Sequence, residues 1–202
     1  MEKFENLPEE KQKTIIDAAL KIFAANGYKK TSISDIATKA GISKAMVFHY
    51  FGTKKELYLY LIRLCCNIIT NEIKENFDNT ITDFFERITS ASNIKIAAMK
   101  KYAAIPAFLT NIYFETDEEV RKDIEALLAE GDEFRSHLAF DGLDTSRFKE
   151  NIDVNLVMKM LVWMAEGFSN DLNLKGEFDL ETLINEFYKC LDLLKENLYK
   201  AP

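Results

Sequence analysis

Proline and glycine are scarce in this chain, three and seven among 202 residues, and no run alternates polar with apolar residues as a half-buried strand would. With so few helix breakers and no strand signal, an all-α protein follows. Cysteine is equally sparse. Cys65, Cys66 and Cys190 cannot build a disulfide framework and lack the spacing of metal ligands. The two histidines, His49 and His137, lie in different segments with no cysteine cluster beside them, so no metal and no cofactor is expected. No nucleophile motif, glycine-rich phosphate loop or pair of catalytic carboxylates stands out, which argues against an enzyme. No apolar stretch reaches the roughly 18 residues a membrane helix needs. The opening MEKFENLPEEKQK is polar and acidic, unlike a secretory leader. The expected compartment is the reducing cytoplasm.

Positive charge is short overall, at net −7, but it is unevenly placed. Residues 1–60 carry net +3 and residues 61–202 net −10. Within 27–55, six lysines (Lys29, Lys30, Lys39, Lys44, Lys54, Lys55) face a single acid, Asp35. A small basic head on an acidic body suits a protein that touches DNA at one place only.

The head has a specific pattern. Ser32 and Asp35 read as an S-x-x-D capping box that opens a helix over 33–40. Ile33, Ile36, Ala37 and Ala40 fall on one face of it, and Gly41 suits the left-handed position after its end. Ser43 caps a second short helix over 44–50. Two short helices around a tight glycine turn form a helix-turn-helix, whose second helix can enter the DNA major groove. A preceding helix is expected from about Pro8 to Asn26, with Asn6 and Glu9 as a capping pair and Gly27 as its end. Thr53 and Glu56 form a second box, opening a long helix that reaches the mid-70s.

Beyond it the chain reads as helix after helix. Segment 80–102 is periodic, Pro106 breaks it, Thr116 and Glu119 cap a helix near 117–138, and 141–151 is a loop. Helix 152–170 is apolar nearly all round and must be covered on more than one face. In the last helix Leu180, Ile184, Phe187, Leu191 and Leu194 recur with heptad spacing. Read together, these two helices offer more apolar face than one monomer needs. They are expected to pack against a second copy as a four-helix bundle, the alternative being that they only close the monomer core.

The run AALKIFAANGYKKTSISDIATKAGISKAMVFHYFGTKKELY, residues 18–58, resembles the TetR family of bacterial transcriptional regulators. Its landmarks are F-x-x-x-G-Y, T-S-I-x-D-I-A, A-G-I-S-K and F-H-Y-F-G-T-K-K-E-L. The resemblance implies a helix-turn-helix DNA-binding domain, residues 1–52, and a helical effector-binding and dimerisation domain, residues 53–202. It implies a homodimer on a palindromic double-stranded operator, with repression as the family default, and a small-molecule effector in the body that alters the separation of the two heads. Those heads must meet successive major grooves roughly 34–36 Å apart. A DNA-binding protein of the same fold without a small effector is the alternative.

Thr31 and Ser32 open the first short helix, and Ser43 and Lys44 the second, where free backbone N–H groups favour phosphate. The family pattern places Lys44, Ala45, Met46 and His49 toward the groove, and Tyr50 and Lys54 on phosphates. Positions 45, 46 and 48, often Gly, Ser or Thr, and Tyr in the family, are here Ala45, Met46 and Phe48. Ala45 and Met46 can meet thymine methyls but cannot hydrogen-bond base edges, which thins direct readout and leaves more to DNA shape. Phe48 either faces DNA or packs inward. In the body, an aromatic and methionine-rich interior suits an adaptable apolar pocket. Phe84, Phe108, Tyr113, Phe134, Met160, Trp163 and Met164 are its candidate effector residues, although most such residues must be ordinary core; the expected effector is small and largely apolar, and the acidic body favours a neutral or cationic one over an anionic one.

Overall fold

The computed structural model describes residues 2–174 and 180–201, without the side chains of residues 166, 168–174, 180 and 183. Ten α-helices occupy the described residues: α1 Glu2–Glu5, α2 Glu9–Lys30, α3 Ile33–Ala40, α4 Lys44–Phe51, α5 Lys54–Asn76, α6 Phe84–Met99, α7 Ile105–Tyr113, α8 Arg121–Phe140, α9 Val154–Leu174 and α10 Leu180–Leu198. The all-α reading holds, and among the described residues the nearest thing to a sheet is one bridge between Phe148 and Tyr199.

Local chemistry sets the boundaries in the N-terminal part. Pro8, with its fixed φ, precedes α2, and no side chain caps that helix, so the expected Asn6–Glu9 pair does not form. Gly27 interrupts α2 with φ 67° and ψ 179°, and one further turn runs to Lys30. Ser32 caps α3 by accepting the Ser34 amide at 3.1 Å. Gly41 ends α3 in the left-handed conformation, and Ser43 caps α4 through the Met46 amide at 3.2 Å. Thr53 opens α5: its hydroxyl accepts the Glu56 amide at 3.1 Å and donates to the Glu56 carboxylate at 2.8 Å. Pro106, expected as a break, lies in the first turn of α7, where its missing N–H has no cost.

Packing groups the chain into two compact units, residues 1–71 with 97–131 and residues 72–96 with 132–202. This grouping cuts across a division at residue 52. In the first unit Leu57, Leu61 and Ile62 of α5, Phe108 of α7 and Ile124 of α8 fill the same core as Ile15, Leu20 and Phe23 of α2, Ile36 of α3 and Val47 of α4. Each large side chain so buried contributes roughly 1.5–3 kcal/mol. The short α1 was not anticipated. It delivers Phe4, fully buried, against Phe51 at 4.7 Å, Tyr60 at 5.8 Å and Tyr50 at 6.0 Å between ring centres.

The second unit centres on Phe84, Phe85, Phe148, Val157, Leu161, Leu191 and Tyr199. Its polar ties are long in sequence. Asp83 caps α6 through the Glu86 amide at 2.9 Å and pairs with Arg147. Arg87, only 1% exposed, donates to the carbonyls of Ile81 and Leu138. Burial lowers its pKa from the usual guanidinium value.

The heptad seam of α10 turns inward here. Leu191 is buried, and Phe187 and Leu194 pack against the core of their own unit. Ile184 is half-buried, and the Leu180 side chain lies outside the described residues. Leu191 thus belongs to the core of its own unit, while Ile184, Phe187 and Leu194 keep part of their surface uncovered; a periodic stripe says that a face is covered but not by what. A different surface is left apolar. Leu156, Met160 and Trp163 follow one another at i, i+4 and i+7 on the outer side of α9 and are all exposed, Trp163 at 60%, and Leu193 of α10 is exposed at 61%.

Candidate nucleic-acid interface

The helix-turn-helix presents α4 by one face and anchors it by the other. Val47, Tyr50 and Phe51 point into the first core. Ser43, Lys44, Ala45, Phe48 and His49 are exposed, and from Lys44 onward they recur at i, i+1, i+4 and i+5, one stripe along the helix. Phe48 is on the outward side at 41% exposure, with the Lys44 Nζ 5.9 Å from its ring centre. Met46, not Phe48, is the partly inward residue, half-buried against the core. The stripe thus combines one cation, one imidazole, one aromatic ring and one methyl group. With the capping Ser43 drawn onto the Met46 amide, the amides of Lys44 and Ala45 at the helix start have no intrahelical acceptor and can take an anion. Ser32, half-exposed, gives α3 a similar start.

Three residues expected on DNA also have partners within the chain. Thr31 is 4% exposed and ends α2: its hydroxyl donates to the Gly27 carbonyl at 2.7 Å and its amide to Tyr28 at 3.3 Å. Tyr50 is 5% exposed, its ring edge-on to Phe4 and 6.3 Å from Phe51. Lys54 places Nζ 3.1 Å from the Tyr28 carbonyl, 3.4 Å from that of Thr31 and 4.3 Å from the centre of the Tyr28 ring. Its first role is to cap the end of α2. A fork in which one ammonium serves two carbonyls is invisible in a motif, which records position but not orientation.

Around this junction the phenols of Tyr28 and Tyr58 are raised well above their ordinary value, first by burial and then by nearby carboxylates: Glu119, Asp117 and Glu115 for Tyr28, Glu115 for Tyr58. Both stay neutral and hydrogen-bearing. Elsewhere in the unit Lys55 pairs with Asp123 at 2.7 Å, and the bond holds that carboxyl below its usual range.

The candidate effector residues divide between the two units. Phe84, Phe134, Met160, Trp163 and Met164 belong to the second unit, and Phe108 and Tyr113 to the first. Phe84 and Phe108 are fully buried among other rings, Phe84 against Phe85 at 5.2 Å and Phe108 against Tyr58 at 5.5 Å. These are filled core positions. Met164 packs on the second core and Phe134 is half-buried, with the Lys74 ammonium 5.7 Å from its ring centre. Tyr113 is exposed and borders an open groove of about 320 Å³ with Ile112, Phe114, Ile124 and Leu128. A second open groove, about 500 Å³, lies in the second unit between Phe85, Asn93, Ile94, Leu191 and Lys195. Among the described residues no group of three or more His, Cys, Asp or Glu is placed to hold a metal, and no helix is long and apolar enough to cross a membrane.

Residues 15–61 match the family described as bacterial regulatory proteins, tetR family. Over 186 residues the chain is 24% identical to the fatty acid metabolism regulator protein of Bacillus subtilis (strain 168), an overlap of 85% of this chain and 92% of that one. Among solved structures, a TetR family transcriptional regulator from Chloroflexus aurantiacus shares the fold with a TM-score of 0.69 at 22% identity, covering 100% of this chain and 99% of that one. The transcriptional regulator FadR from Bacillus subtilis, in complex with stearoyl-CoA, gives a TM-score of 0.64 at 18% identity, covering 93% of this chain and 99% of that one.

Proposed function

We propose that this chain, a member of the TetR family of bacterial transcriptional regulators, is a dimeric repressor that binds a palindromic operator through α4 and leaves it when an acyl-CoA occupies the body. The observation that carries the DNA half of this reading is the exposed stripe Lys44, Ala45, Phe48 and His49 on a helix whose opposite face is core. Lys44 and the free amides at the starts of α3 and α4 supply phosphate contacts and hence affinity. Phe48 and Ala45 offer apolar surface to thymine methyls, and His49 supplies the hydrogen-bonding group of the stripe.

Dimerisation supplies the second recognition helix. The surface that suits it is the outer side of α9, with Leu156, Met160 and Trp163, together with Leu193 of α10, since a contiguous exposed apolar stripe is unusual on a monomer. For the effector, the overlap with a fatty acid metabolism regulator along most of both chains, and the shared fold of FadR in complex with stearoyl-CoA, favour a long-chain acyl thioester, an anionic ligand where the charge of the body alone favours a neutral or cationic one. Such a ligand lowers DNA affinity only by binding the DNA-incompetent arrangement better. Tyr113, Phe134 and Met164 are the pocket candidates that are neither filled core nor part of the proposed dimer face.

A second reading, a regulator of the same fold without a small effector, is favoured by the close packing around Phe84 and Phe108. One experiment separates the two. Duplexes enriched from random DNA by the wild-type protein are expected to be palindromic and to be lost with Lys44→Ala or His49→Ala. Adding stearoyl-CoA is expected to release the enriched duplex. Enrichment without release by acyl-CoAs of any chain length selects the second reading, and no enrichment by a folded dimer overturns both.

A further inference from the structure

The junction between α2 and α3 is held by a carboxylate that lies 87 residues further along the chain. Gly27 breaks α2 at φ 67°, so the amide of Tyr28 has no carbonyl one turn back to donate to. Tyr28 is 1% exposed, and a buried amide must find a partner. Glu115 provides it: Oε2 accepts the Tyr28 N–H at 2.8 Å. The other oxygen, Oε1, accepts the amides of Thr116 and Asp117, both at 3.0 Å, which fixes the carboxylate in the corner between α7 and α8. Asn111, at the end of α7, donates to the Ala24 carbonyl. Lys54 donates to the carbonyls of Tyr28 and Thr31. The segment that leads directly into Ser32, the cap of α3, is therefore clamped at its amide and at its carbonyls by groups outside the helix-turn-helix.

We propose that Glu115 is a positioning residue for DNA binding: it fixes the entry of α3, and through it the helix-turn-helix, without touching DNA. The inference rests on the reading of the chain as a DNA-binding regulator, and it names the α7–α8 corner as the place from which the head is set. A carboxylate has the wrong sign for phosphate. Simple electrostatics says that removing an acid beside a basic head tightens DNA binding; the clamp requires the opposite.

The test is titration of the duplex enriched by the wild-type protein with full-length Glu115→Ala, Glu115→Gln and Glu118→Ala. Glu118 is an exposed acid on the same corner and serves as the electrostatic control. Glu115→Ala is expected to bind roughly tenfold more weakly, the scale of one lost charge-assisted hydrogen bond. Glu118→Ala is expected to bind as well as wild type or slightly better. Glu115→Gln keeps one acceptor oxygen and is expected to fall between the two, so a variant that folds well carries the result if the alanine form does not. Hydrogen exchange at the Tyr28 amide is expected to accelerate in the order wild type, Gln, Ala. Folded Glu115 variants that bind as tightly as wild type, or more tightly, overturn the positioning role alone. A wild-type protein that enriches no duplex overturns the regulator reading and this inference with it.

Discussion

The two units of this molecule are built by different means. In the first, residues 31–56 carry a cap or a glycine at every turn: Ser32, Gly41, Ser43, Gly52 and Thr53 each act on backbone groups within a few positions. Gly52 has φ 78°, a conformation that favours glycine, and an added Cβ would crowd the Glu56 carboxylate that pairs with Thr53. The second unit has local caps too, Asp83 at α6 and Asp153 at α9. It is tied by side chains reaching far along the chain: Arg87 to Leu138, Asp83 to Arg147, Lys149 to the Asn197 carbonyl and Lys200 to that of Ser146. Locally encoded structure leaves its mark on short stretches of sequence. Structure encoded by distant pairing does not.

Replacement of one residue in each unit probes that difference most strongly. Arg87→Ala leaves the Ile81 and Leu138 carbonyls without their buried donor, and is expected to cost about 3 kcal/mol or more in urea unfolding, since hydrogen bonds to a charged group are each worth roughly 1.5–3 kcal/mol. Phe4→Ala empties a site enclosed by Tyr50, Phe51 and Tyr60 and is expected to cost about 3 kcal/mol. Only the second should also weaken DNA binding at concentrations where the protein stays folded, because Phe4 backs the helix that carries the stripe. Equal losses of DNA binding in the two variants would remove the distinction.

The interface itself separates by salt. Lys44→Ala is expected to weaken binding at all sequences and to lower the slope of log affinity against log salt by about one, the mark of one lost phosphate contact. Lys54→Ala is expected to weaken binding with little change in slope, because its ammonium is engaged by the Tyr28 and Thr31 carbonyls. A slope reduced by about one in Lys54→Ala would restore it to the phosphate contacts.

The smallest effect concerns the cysteines. Burial pushes the Cys65 thiol from 9.0 up to about 12. Between those values the thiol of the unfolded chain ionises while the native one does not, so the unfolded state releases the proton and alkali above about pH 9 lowers stability. At pH 8 the native Cys65 is a protonated, buried thiol, and iodoacetamide is expected to spare it while alkylating it after unfolding, as mass spectrometry of the peptides reads directly. Labelling of native Cys65 at pH 8 would reopen a redox role for the adjacent pair Cys65 and Cys66.

What could be read in the chain follows the same division. Ser32, Gly41 and Ser43 announced both short helices, and Thr53 with Glu56 announced α5, because caps act over three or four residues. The family pattern places Tyr50 and Lys54 on phosphates, and the start of α3 places Thr31 there, yet the packing of these side chains depends on Gly27, Phe4 and Tyr28, which lie elsewhere. The four-residue α1 had no periodicity to show. On α10, Leu191 and Leu193 look alike in composition, and only the packed unit shows one buried and the other bare. Likewise an aromatic that fills a core, such as Phe84, cannot be told by type from one that lines a pocket.

Trp163 is the sole tryptophan of the chain, and it stands in water on the stripe of α9. The molecule thus carries its own optical reporter at the surface proposed to meet a second copy. An indole in water emits further to the red than one enclosed by apolar groups, and no other indole obscures the signal. Diluting the protein and watching the colour of that one ring would follow association without a label, and would register any ligand whose binding rearranges the face.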